Sequence, residues 1–323
     1  MSKPRLLSGM QPTGLLHLGN LEGALANWVQ LQDDYEAYFF IADWHSLTTL
    51  YDTADVIQQY TFQAAVDFLA AGLDPNKCSI FVQSDVKEHA ELHLLLSMIT
   101  PIAWLERVPT YKEKQAQLRP EAISYGLLGY PVLQAADILA YKADVVPVGK
   151  DQLPHLELAR EIGRRFNYLY DEVFLDCEAL LTEYPYVPGI DGRKMSKSYS
   201  NAIYIADSPE QTADKVRSMY TDPNKRHKHD KGQREGCAVY EMLNLFGRAD
   251  LHEDCETGRA GCVETKDRLS NLLNERLAPI RERRSKLMAD PTYIEDVFSE
   301  GAKKARSAVR QTLEEVRQAM GVR

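Results

Sequence analysis

SGMQPTGLLHLGN, residues 8–20, follows the apolar pair Leu6 and Leu7 and runs into the helical pattern LEGALANWVQLQ of residues 21–32. A strand-to-helix turn needs one or two special residues, and this one carries three glycines, a proline, a histidine and an asparagine. Glycine lets a backbone approach a bulky partner. The first turn of a helix offers free N–H groups and the positive end of its dipole to an anion. The stretch reads as the opening strand–turn–helix of a nucleotide-binding sheet, with a polyphosphate as its ligand class.

Outward from this turn the alternation repeats. Strand patterns fall at residues 5–8, 38–42 (YFFIA), 79–83 (SIFVQ) and 144–148 (DVVPV), and helical patterns at 21–32, 54–71, 88–97 and 127–141. This predicts an α/β fold: a Rossmann-like parallel sheet with helices on both faces, binding ligands at the carboxyl ends of its strands. That rule alone selects residues 9–20, then Asp43 and His45, then residues 149–152 (GKDQ). After Phe166 the periodicity lapses, and residues 185–211 (PYVPGIDGRKMSKSYSNAIYIADSPEQ) read as a domain junction. Helical patterns then occupy 212–219, 239–246, 266–288 and 294–320. The expected division is a Rossmann-like nucleotide-binding domain over 1–190. Residues 191–323 hold the lysine loop and an all-helical domain, whose last helix packs back on the first.

A chain of 323 residues suits two domains better than one. With 44% hydrophobic and 26% charged residues it has ordinary soluble composition, and no apolar run nears the ~20 residues that span a bilayer. The opening MSKPRLL lacks a signal peptide's apolar stretch, so a cytoplasmic protein without a membrane partner is expected. A net charge of −9 argues against coating of DNA or RNA, and any RNA must meet a local basic patch. Five scattered cysteines do not form a disulfide framework.

Two stretches have to be read together: PTGLLHLGN, residues 12–20, and KMSKS, residues 194–198. Together they resemble the HIGH-type and KMSKS-type ATP motifs of the class I aminoacyl-tRNA synthetases. SGMQPTG, YPVLQAADIL, VPVGKDQ and DGRKMSKS extend the resemblance to the bacterial tryptophanyl members over essentially the whole chain. It implies ATP with Mg²⁺ carried by the nucleotide, attack of an amino acid carboxylate on the α-phosphorus, and transfer from the adenylate to tRNA. It makes His17, Lys194 and Lys197 catalytic. It places ATP against Gln11, Pro12, Thr13, Gly19, Asn20, Gly149, Lys150, Asp151, Ile190, Met195, Ser196 and Ser198 as well as the two lysines.

The residues also have a physical reading of their own. His17 and Asn20 stand at a helix start, where imidazole and amide can donate to phosphate oxygens, and Gly19 leaves room for adenosine. Two ammonium groups on a mobile, glycine-containing loop can close over a triphosphate. Taken singly, a helix cap with an exposed histidine and a solvated basic linker explain the same residues. A carboxylate is already a nucleophile at neutral pH, so positioning and charge suffice; the first domain accordingly shows no acid–base pair and no metal-ligand cluster.

Asp137 lies among Val132, Leu133, Ala135, Ala136, Ile138 and Leu139, where a carboxylate is costly unless a donor meets it. The resemblance makes it the acceptor of an indole N–H, with Tyr130 and Gln152 at the α-amino group and His45 beside the carboxylate. An aspartate paired with a lysine or a backbone cap is the plainer alternative. The tyrosyl relatives carry a Gln and an Asp three apart, as Gln134 and Asp137 do here, but a phenol needs partners for both functions of its O–H. The surrounding motifs favour L-tryptophan and tRNA(Trp). From another class, a non-charging paralogue that senses tryptophan or RNA would have no use for two pyrophosphate lysines.

Some tryptophanyl members carry a four-cysteine iron–sulfur site where Cys237, Cys255 and Cys262 fall; here Thr265 stands at the fourth position, so no cluster is expected. KRHKHDKGQR, residues 225–234, is the densest basic stretch, and Lys225 and Arg226 are the expected tRNA contacts. A solvated loop is the commoner fate of such a run. The resemblance also implies a homodimer, with residues 98–107 at the contact.

Overall fold

The computed structural model describes residues 3–181 and 186–323. Its strands are β1 (Arg5–Met10), β2 (Glu36–Ile41), β3 (Ser79–Val82), β4 (Val145–Val148) and β5 (Glu178–Leu181). They form one parallel sheet in the order β3-β2-β1-β4-β5. From β1 the chain winds first to one side and later to the other, so a crevice opens at the carboxyl ends of β1 and β4. Alternation along each strand sends Leu6, Phe39, Ile41 and Ile80 into one hydrophobic core and Leu7, Tyr38, Phe40 and Phe81 into another. Both faces of the sheet are buried, which is why the strands read as near-continuous apolar runs.

The expected strands lie within two residues of the observed ones, and the Glu88–Ser97 helix has its expected bounds. Several elements were not anticipated, among them the helices Pro109–Gln117 and Leu153–Leu169, the strand β5 and the helix Asp43–Leu50. β5 is a four-residue edge strand with no fully buried position, too short to carry a period. The helix Asp43–Leu50 buries only His45 and Ser46, so its sequence lacks an apolar stripe. The first helix contains a π-helical turn, Leu21–Leu25, between Leu18–Asn20 and Ala26–Leu31.

The helix Cys262–Met288 lies on the helix Asp55–Ala71, where Leu269, Leu273 and Leu277 join the same core as Leu6 and Ile80. Arg284 Nε donates to the buried Asp67 Oδ1 at 2.8 Å, and Arg283 Nε to the Ala70 carbonyl at 2.6 Å. The helix Pro291–Met320 starts in one core with Ile294, Val297 and Phe298. It ends in the other with Ala302, Ala305, Val309 and Leu313. Between them it passes the edge strand β3 at Gly301, where a Cβ would stand 1.8 Å from the Ile80 carbonyl oxygen. Only glycine permits this approach, and the helix covers an edge that would otherwise be open to pairing.

Candidate active site

At the carboxyl ends of β1, β2 and β4 lies a cavity of about 710 Å³, a size suited to a nucleotide and a small substrate. Its wall begins with Gly9 and Met10 at the end of β1 and continues through Gln11, Thr13, His17, Gly19 and Asn20. His17 caps the helix start: its Nδ1 accepts the Asn20 backbone N–H at 3.3 Å, while Asn20 Oδ1 accepts the His17 N–H at 3.0 Å. With Nδ1 used as an acceptor, the ring proton belongs on Nε2. Burial, aided by the charge of Lys197, pulls the His17 pKa down to about 4. At neutral pH the side chain is therefore an uncharged Nε2–H donor. Gly19 serves this ring rather than open space: a Cβ there would stand 2.9 Å from His17 Cε1 and Nδ1.

The lysine stretch meets the opening turn directly. Leu18 N donates to Ile203 O at 2.8 Å and Ile205 N to Leu16 O at 3.0 Å, forming an antiparallel bridge between His17 and Tyr204. Met195 buries its side chain in the core that holds Leu16, Leu18 and Ile203, and its N–H donates to Val187 O at 2.8 Å. In this structure the lysine loop is thus held by one apolar side chain and by backbone pairing. Lys197 Nζ donates to the Gly14 carbonyl at 2.8 Å. Burial pushes its pKa down to about 8, the carboxylate of Asp67 acting in the opposite direction. Lys194 is exposed, and both lysines line the cavity with Met195, Ser196 and Ser198.

At the other end Asp137 is buried, and three side chains hold it. Gln83 Nε2 lies 2.8 Å from both oxygens, His89 Nδ1 2.7 Å from Oδ1, and His45 Nε2 2.9 Å from Oδ2. Burial works to raise its pKa, but the hydrogen bonds and charge of His45 and His89 outweigh burial and hold it at about 2. Of the three donors only His45 lines the cavity. Nearby, Tyr130 OH, Thr110 Oγ1 and His155 Nε2 form a triangle with sides of 2.6, 2.8 and 2.9 Å. Burial, then the charge of Lys114, lowers His155 to about 4, so it is neutral. Lys114 Nζ sits 4.9 Å over the Tyr130 ring, its own pKa lowered by burial. Gln134, Gly149, Asp151 and Gln152 complete this part of the wall.

Not every expected contact lines the cavity. Pro12 is buried, Lys150 is exposed, and Ile190 is tied by its backbone to Asn201 and Tyr220; none of the three lines the cavity. Lys225 requires a correction. Its ammonium is buried and donates to the carbonyls of Lys228 (3.0 Å), Cys255 (3.3 Å) and Asp230, so it holds its own loop together and cannot face RNA. Arg226 is exposed beside it. Thr265 stands where a four-thiolate cluster would need its fourth cysteine. Cys237 Sγ lies 3.8 Å from His252 Nε2, Cys255 Sγ occupies the space a Gly232 side chain would need, and Thr265 Oγ1 donates to Gly261 O at 3.1 Å. Asn201, Gln83, His89, Thr110, Lys114 and His155 were not singled out from sequence. Thr110 and Lys114 share one face of the helix Pro109–Gln117, which has no buried residue run to betray it, and the partners of Asp137 come from three separate segments.

Residues 1–278 match the family model for class I tRNA synthetases of the tryptophan and tyrosine group. A tryptophan–tRNA ligase of Thermotoga maritima is 51% identical over 325 residues, covering 98% of this chain and 99% of the relative. One from Aquifex aeolicus is 44% identical over 393 residues, covering 98% of this chain and 100% of the relative. Among solved structures, tryptophanyl-tRNA synthetase from Campylobacter jejuni in complex with ADP and tryptophan is 37% identical. It superposes with a TM-score of 0.90 over 98% of this chain and 100% of that one. With its sheet order, its paired lysine loop and opening turn, and these relatives over nearly its full length, the chain belongs to the class I tRNA synthetases that serve tryptophan and tyrosine.

Proposed function

We propose that this chain works as a tryptophan–tRNA ligase: ATP and L-tryptophan give tryptophanyl-adenylate and pyrophosphate, and the tryptophanyl group then passes to tRNA(Trp) with release of AMP. The observation that carries the reading is the convergence of the His17 Nε2–H donor, Lys194 and Lys197 on one cavity whose far end holds Asp137. In the first step the tryptophan carboxylate forms a bond to the α-phosphorus as the bond to the pyrophosphate oxygen breaks. No proton need move, and the work of the protein is to align the reactants and to neutralise charge passing to pyrophosphate. Lys194 and Lys197 meet that charge, and His17 donates to a phosphate oxygen. Mg²⁺ would arrive on the nucleotide, since the phosphate end is lined by cations and, among the described residues, no group of three His, Cys, Asp or Glu is gathered to hold a metal.

At the amino acid end the indole N–H reaches Asp137 by taking the place of His45, the donor on the cavity side. Tyr130 and Gln152 offer acceptors to the α-amino group. Tyrosine is the second reading, because Gln134 lines the same wall three residues before Asp137 and a tyrosyl-tRNA synthetase from Archaeoglobus fulgidus shares the fold at a TM-score of 0.67. Pyrophosphate exchange into ATP, run with each amino acid separately, decides between them. Exchange is expected with tryptophan; exchange that depends on tyrosine overturns the assignment.

tRNA is read as approaching the exposed basic loop. Arg226→Glu should weaken tRNA binding several-fold while leaving tryptophan-dependent exchange unchanged. Lys225→Met should instead lower thermal stability, because three carbonyls, that of the buried Cys255 among them, lose their donor. Equal losses of exchange and tRNA binding in Arg226→Glu would make the patch structural. A second copy of the chain is read as covering Leu94, Met98 and Ile102, whose exposures of 53, 68 and 62% leave an apolar strip on the surface. No helix among the described residues is long and apolar enough to cross a membrane.

A further inference from the structure

Asn201 is fully buried three residues beyond the lysine stretch, and its carboxamide is used at both ends. Oδ1 accepts the Ser196 N–H at 2.8 Å; Nδ2 donates to the Lys194 carbonyl at 3.2 Å and to Asp191 Oδ1 at 2.7 Å. One side chain thus bridges the two peptide groups that flank Met195. Its orientation is fixed by chemistry, because turning the amide over would set its oxygen against the Asp191 carboxylate and a carbonyl, and its NH₂ against an N–H. Gly189 makes the space: a Cβ there would stand 2.3 Å from Asn201 Nδ2. The backbone is engaged too, with Ile190 N donating to Asn201 O at 3.0 Å. Two residues on, Ile203 begins the pairing with Leu18 at the opening turn.

Building on the ligase reading, we propose that Asn201 is the positioning residue that sets Lys194 and Lys197 against the opening turn, with Asp191 as its lock. It touches neither substrate. It acts by fixing the turn on which the two ammonium groups are carried, so its loss displaces charge from the triphosphate while the tryptophan end is untouched.

The test is Asn201→Asp, which keeps an acceptor for Ser196 but replaces the donor facing Asp191 with a second carboxylate. In tryptophan-dependent pyrophosphate exchange kcat is expected to fall about 10- to 100-fold, the cost of misplacing a catalytic group by roughly 1 Å. The KM for tryptophan should stay within about two-fold, and ATP should bind about ten-fold more weakly. The Asp191→Asn/Asn201→Asp double variant removes the clash of two carboxylates but still faces the Lys194 carbonyl with an oxygen, so it is expected to recover part of the loss. Should Asn201→Asp not fold, Asn201→Ser, which keeps a short acceptor and loses the bridge, carries the same expectations. A single variant with kcat and ATP affinity within two-fold of wild type overturns the proposal. So does an equal loss at the tryptophan and ATP ends with no recovery in the double variant. A wild-type protein that binds ATP but shows no exchange with tryptophan overturns the ligase reading instead, and the ATP affinities of the variants still judge Asn201.

Discussion

Lys197→Ala is expected to lower kcat for tryptophan-dependent pyrophosphate exchange by roughly 10²–10³-fold, about 3–4 kcal/mol of transition-state stabilisation, with little change in tryptophan affinity. The ammonium is held at the cavity by the Gly14 carbonyl and is half-buried, so water replaces it poorly. Its pKa of about 8 gives the prediction a second face. The active form is the protonated one, so activity is present below this pH and is lost as pH rises through it. The kcat/KM for ATP, which reports the free enzyme, should decline about ten-fold per unit above pH 8. Lys197→Arg, always charged, should remove that decline even where its overall rate is lower. A rate profile that stays flat to pH 9.5 in the wild type, or one unchanged by the arginine, would show that the charge of Lys197 is not used.

Asp137→Ala is expected to cost about 3–5 kcal/mol of stability, read as a lower urea midpoint, in addition to abolishing exchange. The size follows from what is left behind: Gln83 Nε2, His89 Nδ1 and His45 Nε2 lose a common acceptor, and the first two cannot turn to the cavity for another. The same network has a pH signature. The folded pKa of about 2 lies below the ordinary 3.8, so the ionised carboxylate stabilises the fold fully above about pH 4, and that contribution is lost as pH falls toward 2. Asp137→Asn should lack this part of the acid transition. An acid unfolding curve identical to wild type would place the acid sensitivity elsewhere.

The end of the cavity lined by His17, Lys194 and Lys197 was legible in the sequence because it is built from contiguous stretches. Residues 9–20 and 194–198 each carry their chemistry within a few positions, and the strand rule already pointed to the first of them. What could not be read is whatever depends on distant segments meeting. Gln83 follows β3, His89 begins the next helix, and nothing local to either signals the carboxylate they share. Lys225 failed for the complementary reason. Charge density marks a basic loop, but whether a given ammonium turns outward is decided by carbonyls as far away as Cys255. The fold divides similarly: strands with two buried faces declared themselves, whereas the edge strand β5 and the sparsely buried helix Asp43–Leu50 did not.

The crossing at Gly301 also bears on how the chain is made. The flank of β3 that it shields is synthesised more than two hundred residues before its cover, and at ~5–20 residues per second a ribosome needs roughly 10–40 s to travel from Ile80 to Gly301. During that interval the nascent polypeptide has an unpaired ladder and two half-finished apolar layers. Until the last helix arrives, that flank is open to pairing with another chain.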